Sequence, residues 1–166
     1  MPKPILFGWL LLLVVSLFGC QSSLLPMTNA DGQTIPFRTI AREEWGSGYD
    51  SFDPQIFLIT SAEEVAMIAP YISADHLAEV QQINFAQDAV LGLFRGIQPA
   101  SNHKVVIERI TLLESTVTVH VQFWIPAPNQ ASAEVHTSPY YLVKVARSRL
   151  PASDIQLALK SRIVQP

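Results

Sequence analysis

The sequence predicts an α+β domain made mainly of antiparallel β-sheet, as a single sheet or an open sandwich, with one or two short helices packed on it. Three observations support this prediction. Apolar and polar side chains alternate over residues 116–124, which is typical of a half-buried strand. Residues 55–60 and 89–94 are short apolar runs, as in strands buried on both faces. Ser61 and Glu64 form a capping-box match, which predicts the start of a helix.

The N-terminal residues 1–19 have the composition of an export signal. Lys3 precedes an apolar stretch from Ile5 to Phe18, which as a helix is about 21 Å long and too short for a bilayer core of roughly 30 Å. The sequence Leu-Phe-Gly-Cys ending at Cys20 resembles the bacterial lipoprotein signal. That resemblance implies a lipidated Cys20 and a membrane-anchored, extracytoplasmic location in the cell envelope. The alternatives are an uncleaved N-terminal anchor and a secretory signal with an incidental cysteine.

Cys20 is the only cysteine, so the chain forms no internal disulfide and offers no cysteine-rich metal site. Residues 20–36 comprise this cysteine and a segment containing Ser, Pro and Asn, with an Asp31-Gly32 turn signal. This composition predicts a flexible tether.

The folded domain is predicted to span residues 37–151. Residues 37–41 alternate as a strand does, and residues 55–60 form the next one. The helix that starts at Ser61 is expected to face inward through Val65 and Ile68, and to end or kink at Pro70. A second short helix is expected near residues 75–82.

The second half of the domain is predicted to be mostly β. Residues 104–112 and 116–124 form a hairpin whose two-residue turn sets Leu112 opposite Val117 and Arg109 opposite His120 on the outer face. Residues 135–145 supply one or two further strands. For residues 152–166 we expect a short amphipathic helix or a loose tail.

Motifs along residues 37–151 resemble, in order, the C-terminal domain of the PrcB family, whose members are described as subunits of a surface protease complex. The motifs are an aromatic-Arg strand, a Ser-Gly pair, a strand with a capped helix, a hydrophobic-Asp-Phe sequence that leads into a strand, and a Thr-x-Pro-Tyr signature. They correspond to Phe37-Arg38, Ser47-Gly48, Phe57 to Met67, Ile83-Asn84-Phe85 and Thr137 to Lys144. Asn84 replaces the usual aspartate, and residues 96–103 lack the family's Gly-Gly-Tyr. The resemblance implies a protein partner, for which a protease is one candidate.

The catalytic and metal motifs give no positive signal. The four histidines form no closely spaced pair, so we predict no metal and no cofactor. Gly46-Ser47-Gly48 lacks the spacing of a nucleophile elbow. We therefore expect that the protein is not an enzyme. The net charge of -3 also argues against nucleic acid, which proteins bind mainly by neutralising phosphates.

Aromatic residues near strand ends and loops are the best candidates for contacts with a protein partner, because Trp and Tyr dominate interface energetics. These candidates are Trp45, Tyr49, Trp124, Tyr140 and Tyr141. Trp124 and Tyr140 have the alternative role of covering sheet edges. Neighbouring residues of a strand point to opposite faces, so one tyrosine of the 140–141 pair is expected in the core and the other at the surface.

These observations favour a membrane-anchored, non-catalytic accessory or stabilising subunit of a protein complex. Two alternatives remain open from the sequence. One is a stand-alone binding module, such as a β-sandwich protease inhibitor or a peptide binder. The other is an enzyme whose site has no recognised motif.

Overall fold

The structure is a computed structural model that describes residues 32–46 and 48–166. The export signal, Cys20, most of the predicted tether and Ser47 lie outside the described residues. The predictions of a lipid anchor and a cleaved signal therefore stay predictions.

In the described part of the chain, eight strands form two sheets of four strands each. The strands are β1 Gln33–Ile35, β2 Phe37–Glu43, β3 Gln55–Ile59, β4 Asp88–Phe94, β5 Lys104–Leu113, β6 Thr116–Trp124, β7 Tyr140–Ala146 and β8 Gln156–Val164. The outer sheet has the order β1-β5-β6-β8, and the central sheet has the order β2-β7-β4-β3. All pairings are antiparallel except β6 with β8. This arrangement confirms the predicted α+β open sandwich.

The central sheet is buried on both faces, so the molecule has three layers. One core cluster fills the space between the sheets and includes Leu91, Val119 and Val143. A second cluster lies on the other face of the central sheet and includes Phe94 and Leu142. The second cluster is closed by the segment between β3 and β4, because Val65, Ile68 and Val80 of this segment belong to it.

That covering segment begins as 3₁₀ helix and continues as α-helix. Its elements are the 3₁₀ turns Glu63–Met67 and Ala69–Tyr71 and the helix α1 Ala74–Gln81. A further 3₁₀ turn, Arg147–Arg149, follows β7. The predicted start at Ser61 is present, since the N–H of Glu64 donates to Ser61 Oγ at 3.3 Å. The Glu64 carboxylate reaches back to the N–H of Thr60 at 2.6 Å, one residue earlier than in a standard capping box.

The hairpin of β5 and β6 has the register that the sequence predicts. Leu112 pairs with Val117, and Arg109 pairs with His120. His120 is nevertheless buried on the outer face of its sheet, with Nε2 at 3.0 Å from Thr111 Oγ1. The sequence therefore predicted correctly that His120 lies on the outer face of the sheet, but it did not predict that His120 is buried there.

Two terminal segments differ from the predictions. Residues 33–35, assigned to the tether, pair with β5 as β1. The predicted helical or loose tail is wrong for residues 156–164, which form β8 along β6. The physical reason in the second case is that Leu157 and Leu159 alternate with the smaller or polar residues Gln156, Ala158 and Lys160, which suits a strand on an otherwise unpaired sheet edge.

The sandwich is closed on one side and open on the other. Only Pro36 separates β1 from β2, so the chain bends from the outer sheet into the central sheet along this side. The opposite side is formed by β8 and β3, the other edge strands of the two sheets. No helix among the described residues is long and apolar enough to cross a membrane.

Candidate functional site

One end of the sandwich carries three long loops, which we call the loop platform: residues 44–54, 95–103 and 125–139. The strand register places them together, since Glu43 and Phe94 both pair with Tyr140. Likewise, Lys104 pairs with Trp124 at the same end of the hairpin. Loops that a rigid scaffold holds together at one end of a sandwich are common sites of recognition.

The second and third loops of the platform are joined by backbone hydrogen bonds. The N–H of Gln98 donates to Thr137 O at 2.7 Å, and the N–H of Thr137 donates to Gln98 O at 3.1 Å. Further along, the N–H of Ser101 donates to Ala133 O at 3.0 Å. The Ala133 N–H donates to Ser101 Oγ at 2.9 Å. These bonds hold two segments that are distant in sequence as one unit.

The first loop is attached to both of the others. The N–H of Ser138 donates to Gly46 O at 2.7 Å, and the N–H of Ile97 donates to Ser51 O at 2.8 Å. A β-carbon on residue 46 would collide with the carbonyl oxygen of Ser138, so the close approach requires glycine at this position. The platform is therefore a cross-linked surface in which each loop contacts another.

Gly96 sets the course of the second loop where it leaves β4. Its φ angle is +87°, and a β-carbon there would lie 2.6 Å from Phe52 O. Glycine adopts this left-handed conformation without the steric cost that other residues incur. The turn brings Ile97 against the first loop.

Arg95 anchors the base of the platform from inside. Its guanidinium donates to the carbonyl oxygens of Lys104 and Trp124, at the two strand ends of the hairpin, and lies 5.1 Å from the centre of the Phe123 ring. Burial lowers the pKa of Arg95 to about 10, so the group stays charged at neutral pH. Within the part of the chain that the structure describes, no carboxylate pairs with it. Its role here is structural, because its donors bond to the main chain.

The platform exposes three large apolar side chains, one on the third loop and two on the first. Trp45 is 59% exposed, Phe52 is 78% exposed and Val135 is 42% exposed. Trp45 was predicted as a partner-binding residue. Phe52 and Val135 were not, although Phe52 has the same signal, an aromatic residue in a loop rich in turn-forming residues. The signal for Val135 was lost because residues 135–145 were assigned to strands.

Trp124 lies beside the platform and lines a groove of about 460 Å³ on the outer sheet. Arg42, Lys104 and Gln122 contribute to the same groove. The Lys104 ammonium forms an ion pair with Glu44 at 3.1 Å, which connects the groove to the first loop. Trp124 is half-buried, and its indole Nε1 is buried without a hydrogen-bond partner among the described residues.

The other three predicted aromatic residues are buried. Tyr49 packs against Phe94 and donates from its hydroxyl to Gln55 Oε1 at 3.0 Å. Tyr140 belongs to the core beneath the helical layer, and Tyr141 belongs to the core between the sheets. The expectation that one of these two tyrosines faces solvent is wrong, because the central sheet is covered on both faces. Partner contact through Trp45 and Trp124 stays a prediction.

Two of the histidines are bound to structural partners. His76 Nδ1 lies 2.6 Å from the hydroxyl of Tyr140, and His103 Nδ1 lies 2.8 Å from Ala100 O. In the described ranges, no group of three His, Cys, Asp or Glu side chains has a geometry that holds a metal ion.

The fold and the platform define a β-sandwich domain with a preorganised loop surface at one end. Within this chain, the family model described as PrcB C-terminal matches residues 89–146. This match runs from β4 to β7 and confirms, over those residues, the resemblance stated above. No curated protein matches the chain, and no solved structure matches it.

The matched segment contains two of the three platform loops. Its Thr-x-Pro-Tyr signature forms the end of the third loop. Thr137 and Ser138 are both buried, and both donate backbone hydrogen bonds to other loops. Pro139 O accepts from the N–H of Arg95 at 2.9 Å. The Thr-x-Pro-Tyr signature therefore serves to fix the platform, and its side chains lie in the interior.

Proposed function

We propose that this protein is a PrcB-like accessory subunit that binds and stabilises a protein partner through the loop platform, without catalysing a reaction itself. The observation that carries the proposal is the exposure of Trp45, Phe52 and Val135 on loops that are rigidly cross-linked. The family match supports a role associated with a protease complex.

Preorganisation of the loops favours binding of a partner. Aromatic side chains bury a large area at an interface with little loss of rotamer entropy. Loops that are already fixed by hydrogen bonds lose less conformational freedom on binding, which favours affinity. A surface with exposed Trp and Phe side chains on fixed loops combines the two advantages.

We also propose where the protein is located in the cell. The lipoprotein resemblance around Cys20 supports attachment to a membrane of the cell envelope, with the domain outside the cytoplasm. Cys20→Ser is expected to yield unprocessed precursor without acyl label. Normal processing and release of that variant would contradict the lipid anchor and leave simple secretion.

The binding test is a pull-down from detergent-solubilised membranes of the producing cell, with the full chain as bait. The double variant Trp45→Ala/Phe52→Ala is expected to lose a stoichiometric partner that the unaltered protein retains. The matched control is Met67→Ala/Leu113→Ala, which removes two apolar side chains that are 47% and 51% exposed away from the platform.

A partner that binds both double variants equally would contradict the platform as the contact surface. A partner whose level in the cell does not fall when this protein is deleted would contradict the stabilising role. A stand-alone binder is distinguished by the absence of a stoichiometric partner together with inhibition of a protease or capture of a free peptide.

A further inference from the structure

A pocket of about 270 Å³ lies beside the loop platform, between its first loop and the segment that covers the second core. Its lining includes Glu43 and Trp45 on the side of the first loop, Tyr71 and Ser73 of the covering segment, and Tyr140 of β7. We call it the Trp45 pocket. Pockets that enclose a whole small molecule are about 300–1,000 Å³, so the size of this one suits a single side chain of a partner.

The back of the Trp45 pocket is held by contacts with the core. The Tyr71 ring packs edge-on against Tyr49, with the ring centres 5.3 Å apart, and against Phe94 at 5.8 Å. The hydroxyl of Tyr140 accepts from the N–H of Ser73 at 3.2 Å. A pocket that is already formed loses little conformational freedom when it is occupied.

Two side chains of the pocket retain unused binding capacity. The Trp45 ring is exposed, and it stacks on no other aromatic ring among the residues that the structure describes. The Glu43 carboxylate accepts from the N–H of Trp45 through Oε1 at 2.9 Å. In the described part of the chain, no lysine, arginine or histidine pairs with Glu43. A carboxylate beside exposed aromatic rings is suited to a cation, which both kinds of group attract.

The basic residues closest to Glu43 in the structure are directed elsewhere. Arg42 lines the groove beside Trp124, because consecutive residues of a strand point to opposite faces. Lys104 lines that same groove and is bound to Glu44, which does not line the Trp45 pocket. The cation for this pocket is therefore expected from another molecule.

The charge of the surrounding platform has the sign that attracts a cation. The three loops contain four acidic residues, namely Glu44, Asp50, Asp53 and Glu134, and Arg95 is their only lysine or arginine. All of these acidic residues except Glu44 are exposed, whereas Arg95 is buried and bound to the main chain. Such a surface raises the local concentration of basic groups and lowers that of acidic ones.

We propose that the Trp45 pocket binds an arginine side chain of the protein partner, with the guanidinium between the Glu43 carboxylate and the aromatic rings. Arginine fits better than lysine, because its planar group stacks on aromatic rings and also donates two parallel hydrogen bonds to a carboxylate. Arginine is also among the residues that dominate interface energetics. The inference rests on the platform as the contact surface, and it names one contact that the partner makes there.

The first test uses the full chain and N-acetylarginine amide as the probe. The control is N-acetylcitrulline amide, which has nearly the same shape without the charge. We expect the arginine compound, at millimolar concentration, to shift the indole N–H signal of Trp45 in two-dimensional NMR spectra. The citrulline compound is expected to leave that signal in place, and added salt is expected to weaken the binding of the arginine compound.

Glu43→Gln and Glu79→Gln form the matched pair of variants. The first keeps an oxygen that accepts from the N–H of Trp45 and removes the charge from the pocket. The second removes a charge from an exposed position of helix α1 that does not line the pocket. We expect Glu43→Gln to weaken binding of the arginine compound about tenfold and Glu79→Gln to leave it unchanged. In the pull-down, the same two variants are expected to retain less partner and an unchanged amount of partner, respectively.

Equal binding of the arginine and citrulline compounds, or equal affinity of the two glutamine variants, overturns the proposal. Loss of the partner from Trp45→Ala/Phe52→Ala but not from Glu43→Gln overturns it as well, and leaves the platform as the contact surface. Binding of the arginine compound that depends on Glu43, without any partner that depends on Trp45 and Phe52, contradicts the platform proposal and supports the pocket as an arginine site. The two proposals therefore fail in different ways.

Discussion

The hydroxyl of Tyr140 lies 2.6 Å from Nδ1 of His76, and this contact joins the central sheet to helix α1. The same hydroxyl accepts from the N–H of Ser73, the N-cap residue of α1, at 3.2 Å. The tyrosine of the Thr-x-Pro-Tyr signature thus fixes the start of the helix that covers the second core.

Tyr140→Phe is expected to lower the free energy of unfolding by about 1–2 kcal/mol, because two partly buried groups lose a hydrogen-bond partner. Urea denaturation monitored by circular dichroism measures the change. The control is Tyr71→Phe, since the Tyr71 hydroxyl makes no hydrogen bond within the described residues and its loss is expected to cost less than about 0.5 kcal/mol. Equal effects of the two variants would contradict the role of the Tyr140 contact.

Arg95→Met is expected to destabilise the protein by about 1–3 kcal/mol, because the carbonyl oxygens of Lys104 and Trp124 lose a charged donor. Arg95→Lys is expected to restore part of this loss, since one ammonium cannot reproduce the geometry of a guanidinium. Thermal unfolding gives the comparison. Arg149→Met, at an exposed arginine near the opposite end of the sandwich, is the control. No difference between the Arg95 and Arg149 variants would exclude an anchoring role.

Gly96→Ala is expected to cost about 1–3 kcal/mol, because alanine is strained at this positive φ angle and its β-carbon meets the Phe52 carbonyl. Urea denaturation measures the loss, and proteolysis of the loops tests whether the platform loosens. Glu134→Ala, an exposed change in the third loop, is expected to stay within about 0.5 kcal/mol of the unaltered protein. An unchanged stability of Gly96→Ala would show that the turn tolerates a side chain.

Glu108 connects β5 to β8 through a two-pronged contact with Arg162, at 3.2 Å from Nε and 2.7 Å from Nη2. The hydrogen bonds from Arg162 and Gln122 lower the pKa of Glu108 from its ordinary value of 4.5. A carboxylate with a lowered pKa in the folded state stabilises the protein above that ordinary value, and this stabilisation is lost as the pH falls through the folded-state pKa.

Glu108→Gln is therefore expected to be less stable than the unaltered protein at pH 7, and the difference is expected to shrink below about pH 4. Urea midpoints at neutral and acidic pH measure it. The contact is exposed, so added salt is expected to reduce the difference as well. A difference that is the same at both pH values would show that the charge of Glu108 contributes nothing.

The sequence predicted those features that depend on neighbours along the chain. The register of β5 and β6 followed from alternation and a two-residue turn, and helix α1 followed from its apolar spacing. The burial of both Tyr140 and Tyr141 did not follow, because it depends on a covering segment some sixty residues earlier in the chain. Strand β8 was missed because parallel pairing with β6 needs a crossover and leaves no local turn signal.

The same distinction applies to the candidate site. Trp45 was found from its residue type and its place among glycines, since these are local properties. The cross-links that make the loops a platform, such as Gln98 with Thr137, join residues distant in sequence and have no local pattern. For this reason the Thr-x-Pro-Tyr signature is visible in the sequence, whereas its role in fixing the platform is visible only in the fold.

The bend at Pro36 also sets the end of the sandwich at which the described chain begins. Gln33 pairs with Leu112, next to the β5–β6 turn, and β2 then runs from Val145 toward Tyr140. The N-terminal segment therefore joins the sandwich at the end far from the three loops. If that segment tethers the protein to a bilayer, the attachment point and the platform lie at opposite ends of the domain, and the reach of the platform is limited by the length of the sandwich plus that of the linker. Shortening the linker would lower the contact surface toward the lipid without turning it away from a partner.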